Sequence, residues 1–319
     1  MQDKSVQAVI LAAGSSSRFK TGTSKLITPL CGQPMILYPV LLLEKLDIPT
    51  IIVIGFQREK IVEIVGQKTY KPRYVTQEEQ LGTGHALLCT QHLWEADNIL
   101  LMNGDMPLIS DEIITTLIQK HLDAQAGISF IVSHNTDTSI GYGRLVEHEG
   151  TMSIVEAKHF TATPEEHPLV NAGIYIINTE FLKKHLREIK KNEVTQEFYV
   201  TDLIELASSN NIPAIPLEVP FDTLYGVNTL QQLEKAERMK KKELVDHWMT
   251  HGVRFENPKT VALDLSVTIE PGSIIGSFVE LRGNTHIGKN CTIKSYSILK
   301  NVTVHDDTII EPYTHQEQQ

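Results

Sequence analysis

The sequence predicts an α/β protein with a mostly parallel sheet, followed by a short parallel β-helix. Two observations carry this. From Val6 to about Ser133, short and wholly apolar runs alternate with segments of helical period. That alternation suits strands buried on both faces, with helices crossing between them. From Val267 the period becomes six: Ile269, Ile275, Leu281, Ile287, Ile293 and Leu299 recur at every sixth position. Neither a helix nor a half-buried strand has that period, and a parallel β-helix does.

The elements follow in order. Strand-like runs are VQAVIL (6–11), TIIVIG (50–55), NILLMNGD (98–105) and GISFIVS (127–133). Helical patterns lie between them at 34–46, 59–65, 84–94 and 110–124. Pro39 falls inside the first of these and should kink or shorten it. GYGRLVEHEGTMSIVEAKH (141–159) reads as a hairpin turning near Glu149-Gly150, and LVNAGIYII (169–177) as a further strand. QEFYVTDLIELA (196–207) places Thr201 or Asp202 at a helix start. A long charged helix then runs to about Thr250, with Thr229 as its cap. The hexads fail at His305, leaving a polar tail, EPYTHQEQQ. The expected domains are 1–230, a linking helix at 231–252, and the β-helix with its tail at 253–319.

Composition narrows the function. With 319 residues and 41% apolar content there is enough chain for a large domain plus an appendage. A net charge of −10 disfavours non-specific nucleic-acid binding. Cys31, Cys89 and Cys291 are widely spaced, which fits a reducing cytoplasm without a disulfide framework or zinc knuckle. The polar start MQDKSVQ does not read as a signal peptide, and no apolar run reaches the ~18 residues needed to span a membrane.

Four stretches carry candidate chemistry. LAAGSSSRFKTGTSK (11–25) follows the first strand, where ligands bind in parallel α/β folds. Small residues allow close backbone approach, successive N–H groups can cup an anion, and Arg18 and Lys25 bring positive charge. This suits a polyphosphate; a polar surface loop is the alternative. Asp105 ends a strand, as a metal-holding carboxylate or as a turn residue before Pro107. In QEEQLGTGHA (77–86) the amides of Gln77 and Gln80 can read a base edge, or the segment is simply a helix start. Glu156 and Asn171 are placed to face sugar hydroxyls. His247 and His251 stand four apart on the long helix but lack a third ligand, so they read as surface residues.

Together, LAAG…R…K, QEEQLGTGHA, GD-x-PLI, GYGR, IVEAK, N-x-GIY, E-x-Y-x-TD and GVN resemble, in order and spacing, the N-acetylglucosamine-1-phosphate uridylyltransferase (UDP-N-acetylglucosamine pyrophosphorylase) half of the bacterial bifunctional enzyme. The resemblance runs from Val6 into the β-helix. It implies a Rossmann-like nucleotidyltransferase domain joined to a left-handed β-helix, Mg²⁺ as cofactor, and UTP and a sugar 1-phosphate as substrates for a cell-wall precursor. Leu11, Ala12, Ala13 and Gly14 would line the nucleotide pocket, and Gln77, Gly82 and Thr83 would hold the uracil. Arg18 and Lys25 would contact the triphosphate as catalytic cations. Asp105 and Asn228 would bind the metal. Gly141, Glu156 and Asn171 would bind the amino sugar, with Glu197, Tyr199 and Thr201 beside it. A homotrimer through the β-helix is the implied assembly.

The sequence also departs from that family. Ser16 stands where a Gly is usual, Ser24 where a Pro is usual, and Ala172 where a Thr is common. The family's β-helix runs on through many more coils that carry acetyl-CoA chemistry, so the expectation for this chain is uridylyl transfer without acetyl transfer.

Overall fold

The computed structural model describes residues 5–68, 71–137 and 141–318. They fall into two units, Met1–Ile27 with Met35–Gly226, and Thr28–Pro34 with Val227–Gln319.

The first unit is built on one sheet. Its strands are β1 (Val6–Ala12), β2 (Thr50–Ile54), β3 (Arg73–Thr76), β4 (Asn98–Asn103), β5 (Ile128–His134), β6 (Arg144–His148), β7 (Thr151–Val155), β8 (Leu169–Asn178) and β9 (Ala214–Glu218). The order is β9-β5-β8-β4-β1-β2-β3, with the β6–β7 hairpin attached at β8. Pairing is parallel except where β8 runs against β4, β5 and β6 and within the hairpin. The hairpin turns at Glu149 and Gly150, as the sequence predicts.

Both faces of the sheet are covered, which is why the central strands are mainly apolar, with Gln7, Asn98 and Ser129 buried among them. Ala8, Ile10, Ile52, Leu100 and Ile174 pack on one side against α1 (Leu37–Lys45), α2 (Arg58–Gly66) and α4 (Asp111–Asp123). Val9, Ile51, Leu101, Phe130 and Tyr175 pack on the other against α3 (Thr83–Cys89), α5 (Thr179–His185) and α6 (Asp202–Ser209). Pro39 shortens α1 rather than kinking it. The helix begins at Leu37, so Pro39 lies in the first turn, where an N–H has no intrahelical partner. α3 ends earlier than its apolar pattern suggests. The Thr90 hydroxyl donates to the Leu87 carbonyl (2.7 Å) and accepts from the Trp94 indole (2.8 Å), turning the chain into a short 3₁₀ segment.

The second unit carries α7 (Leu230–Thr250) and the coils. Thr229 caps α7 through a capping box with Gln232. His247 and His251 are exposed on its last turns and belong to no metal cluster among the described residues.

The coils are short parallel strands stacked in three sheets, beginning at Arg254. Their inner row is Leu263, Ile269, Ile275, Leu281, Ile287, Ile293 and Leu299. The period does not stop at His305. Partners lie 18 residues apart through Glu280↔Ile298 and 17 apart from His286↔Thr303 onward. One residue is missing from the corner at Asn301, so Val304 arrives one place early and takes the inner position. The stretch read as a polar tail then contains the strand His315–Glu317, paired with Ile298–Lys300. Its side chains are exposed, so no apolar pattern marks it.

At one corner Phe278, Tyr296 and Tyr313 stack outward, with successive ring centroids 5.1 Å apart. Leu281 is fully buried in the inner row, whereas Tyr313 is 76% exposed. Leu281→Ala should therefore cost about 2–5 kcal/mol in denaturant unfolding, and Tyr313→Ala under about 1.5 kcal/mol. Equal losses would contradict the inward and outward assignment.

Candidate active site

The segment after β1 forms a cradle because its backbone turns sharply twice. Ala12 and Ala13 are buried, Leu11 is half-buried and Gly14 is exposed. Ser16 and Lys20 both adopt left-handed backbone, φ 57° and 55°, on either side of a 3₁₀ turn at Ser17–Phe19. Phe19 is buried and anchors this turn, while the Arg18 side of it is exposed. Left-handed backbone costs a residue with a Cβ about 1–2 kcal/mol, so Ser16 is a strained position.

Two candidates widely separated in sequence meet here. The Gly104 N–H donates to the Leu11 carbonyl (3.0 Å), which sets the end of β4 beside the end of β1. Asp105 follows directly, and its carboxylate forms an ion pair with the Lys25 ammonium. Both side chains are largely withdrawn from solvent, 15% and 13% exposed.

The segment 77–84 is fastened from two sides. Gln80 donates to the Ala13 carbonyl (2.8 Å), joining it to the cradle. Gln77 is buried and donates to the Gly82 carbonyl (3.1 Å), with His85 Nδ1 also 3.0 Å away. On the other side the Gly84 N–H donates to the Phe198 carbonyl (2.8 Å), and the Val200 N–H donates to the Thr83 hydroxyl (3.0 Å). The structure thus joins Gln77, Gly82 and Thr83 to the stretch holding Glu197, Tyr199 and Thr201.

That stretch lies beside Glu156. The Thr201 hydroxyl donates to Glu156 (3.3 Å) rather than capping α6. Asn171 is buried on β8, donates to the Tyr175 hydroxyl (2.6 Å) and accepts from the Gly173 N–H (3.3 Å). Tyr199 donates to Thr195 (2.8 Å). Gly141 has φ 67°, the left-handed turn that admits the chain to the hairpin. Burial pushes the Glu156 carboxyl up, against the lowering effect of the Thr201 bond.

Asp202, beside Glu156, is pushed from its ordinary 3.8 to about 6, first by burial, then by Glu205 and Glu156. The folded chain thus holds a proton there that the unfolded chain releases, and stability falls as pH rises through that window. Asp202→Asn should flatten this slope in denaturant midpoints at about pH 5 and 7. Identical pH dependence in both proteins would contradict it.

Asn228 belongs to the second unit, where its N–H donates to Gln232 (2.7 Å) at the start of α7. Among the described residues no cluster of three or more His, Cys, Asp or Glu side chains could cage a metal. Mg²⁺ commonly needs only one or two protein carboxylates and takes its remaining ligands from water and phosphates. Asp105 fits that role, since a cation, the Lys25 ammonium, already sits against its carboxylate.

Sequence reasoning passed over Tyr142 and Gln57. The Tyr142 hydroxyl accepts from the Gly226 N–H (2.9 Å) and is pushed up to about 12, chiefly by burial and also by the Asp105 charge. Its place in GYGR was the available signal. Gln57 shows no signal in sequence. Its side chain bonds Ser24, 33 residues away, and Gly22, 35 residues away.

Comparison with known proteins gives the family. Residues 8–243 match the MobA-like NTP transferase domain, and residues 266–301 match the bacterial transferase hexapeptide repeats. The bifunctional protein GlmU of Exiguobacterium sibiricum is 33% identical over 95% of this chain and 68% of its own length. That of Limosilactobacillus reuteri is 32% identical over 97% and 69%. A solved structure from Bacillus anthracis, described as a glucose-1-phosphate thymidylyltransferase, shares the fold at TM-score 0.60 and 20% identity, covering 73% of this chain and 94% of that one. The chain belongs to the MobA-like NTP transferase family and carries bacterial transferase hexapeptide repeats beyond that domain, with GlmU proteins among its relatives.

Proposed function

We propose that the protein is a sugar-1-phosphate uridylyltransferase making UDP-N-acetylglucosamine and pyrophosphate from UTP and N-acetylglucosamine 1-phosphate. The observation that carries this is the Lys25–Asp105 pair at the carboxyl ends of β1 and β4, beside a small-residue cradle. The choice of base and sugar rests on the motif resemblance, QEEQLGTGHA, GYGR, IVEAK and N-x-GIY in order.

The reaction joins two anions. A phosphate oxygen of the sugar phosphate attacks the α-phosphorus of UTP in line, that phosphorus exchanges its bond to the bridging oxygen for the new one, and pyrophosphate leaves. The second pKa of a phosphate monoester is ~6, so the nucleophile is largely ionised at pH 7 and needs no general base. Catalysis then rests on positioning and fixed positive charge. Arg18 and Lys25 would neutralise the triphosphate, and the backbone of 11–14 would let it approach closely. Gln77, Gly82 and Thr83 would face the uracil. Glu156 and Asn171, with Gly141, Glu197, Tyr199 and Thr201 around them, would receive the sugar's hydroxyls and amide. Asp105 would hold Mg²⁺, which would supply charge neutralisation at the phosphates, and the motif resemblance alone assigns Asn228 the same role. We place the protein in the cytoplasm, where UTP is found, as a homotrimer through the β-helix. No helix among the described residues is long and apolar enough to cross a membrane.

Pyrophosphate release across a panel of nucleoside triphosphates and sugar 1-phosphates tests the reading. UTP with N-acetylglucosamine 1-phosphate should give the highest kcat/KM. A preference for dTTP or another sugar would reassign the substrate. UTP binding without pyrophosphate release would indicate a nucleotide-sugar-binding protein instead.

A further inference from the structure

We propose that Ser16 and Gln57 are positioning residues that clasp the segment 22–25 and thereby set the Lys25 ammonium against Asp105. This rests on reading that segment as the phosphate cradle.

The clasp is built from side chain to backbone. The Ser16 hydroxyl accepts from the Lys25 N–H (3.1 Å), closing the loop between them into a ring. Gln57 uses both ends of its amide on the same segment: its oxygen accepts from the Ser24 N–H (2.8 Å), and its nitrogen donates to the Gly22 carbonyl (3.4 Å). The buried Ser24 adds a bond inside the segment, its hydroxyl accepting from the Leu26 N–H (3.3 Å).

Each bond depends on residue type. A glycine at 16 would supply no acceptor, and a proline at 24 would supply no N–H for Gln57. Both clasp residues sit in left-handed backbone, φ 57° for Ser16 and 55° for Gln57. Glycine would adopt that conformation without strain. Strained residues persist where the surroundings hold them, and they concentrate at functional sites. At Ser16 the strain accompanies a bond to the backbone of the residue whose side chain meets Asp105. The Lys25 side chain is long and flexible, so fixing its backbone limits where the ammonium can go.

Two measurements test the clasp. In steady-state kinetics Ser16→Gly should lower kcat about tenfold, as expected for the loss of one positioning hydrogen bond, with the KM for the sugar phosphate unchanged. Its melting temperature should not fall, because glycine relieves the backbone strain. In a Lys25→Ala background Ser16→Gly should have no further effect, since it acts only through Lys25. Wild-type kcat in Ser16→Gly, or the same loss in both backgrounds, would overturn the proposal. In the unliganded protein, amide hydrogen exchange across 21–27 should be at least about tenfold faster in Ser16→Gly and in Gln57→Ala. Unchanged exchange would overturn the clasp whatever nucleotide the protein takes. Failure of the wild-type protein to turn over any substrate pair would instead count against the uridylyltransferase reading, and the exchange measurement would still decide the clasp.

Discussion

Lys25→Ala and Asp105→Ala are each expected to lower turnover by several orders of magnitude while the protein remains folded. Removing one preorganised charge-stabilising group typically costs about 10²–10³ in rate. These two residues are further linked, because each is the other's ion-pair partner. Loss of Lys25 leaves the Asp105 carboxylate largely withdrawn from solvent without its ammonium, and loss of Asp105 also removes the one carboxylate assigned to Mg²⁺. Breaking such a pair from one side strands a charge, so the double variant should be less destabilised than the two single losses summed. Pyrophosphate release, read beside circular dichroism and denaturant unfolding, separates the two effects. Near-normal turnover in both single variants would refute the assigned roles.

Gly82→Ala is expected to weaken UTP binding by about 10- to 100-fold and to destabilise the first unit by about 1–3 kcal/mol. Gly82 has φ 94°, and an added Cβ would lie 2.6 Å from the Phe198 carbonyl oxygen and 2.9 Å from the Glu197 Cβ. Both contacts are with the segment that fastens 77–84. Relief would require the loop to move off Phe198, breaking the bonds at Gly84 and Leu81 that hold the two together. Gly14 is the control. A Cβ there meets nothing within 4 Å, so Gly14→Ala should leave stability within about 0.5 kcal/mol. Nucleotide titration calorimetry and urea unfolding of the two variants check both statements, and wild-type UTP affinity in Gly82→Ala would contradict the first.

The parts legible in sequence are those where packing imposes a period. β1, β2, β4 and β5 are mainly apolar because helices cover both sheet faces, and the row from Ile269 to Leu299 repeats by six because each coil must fill the same interior. The edge strands were not legible. β3 begins with Arg73 and is only half-buried, and β9 contains Pro216, so neither shows an apolar run. α5 follows its strand with no loop between them and escaped for the same lack of a boundary. The slip at Val304 was hidden because a one-residue deletion in a corner looks, in sequence, like the end of the repeat.

The site divides in the same way. Arg18, Lys25 and Asp105 could be picked out by charge at strand ends, but the Lys25–Asp105 pair joins residues 80 apart and only the fold brings it together. Ser16 and Ser24 read in sequence as departures from a pattern, and their use appears only in the hydrogen bonds they make. Asp202 is an unremarked helix-start carboxylate until its burial beside Glu156 and Glu205 is seen.

A crystal of the protein soaked with UTP, Mg²⁺ and N-acetylglucosamine 1-phosphate tests the central claim most directly. The triphosphate should lie along residues 11–25, against Arg18 and Lys25, with Asp105 turned to the metal. Density for the triphosphate elsewhere in the protein, with the Lys25–Asp105 pair undisturbed, would contradict it.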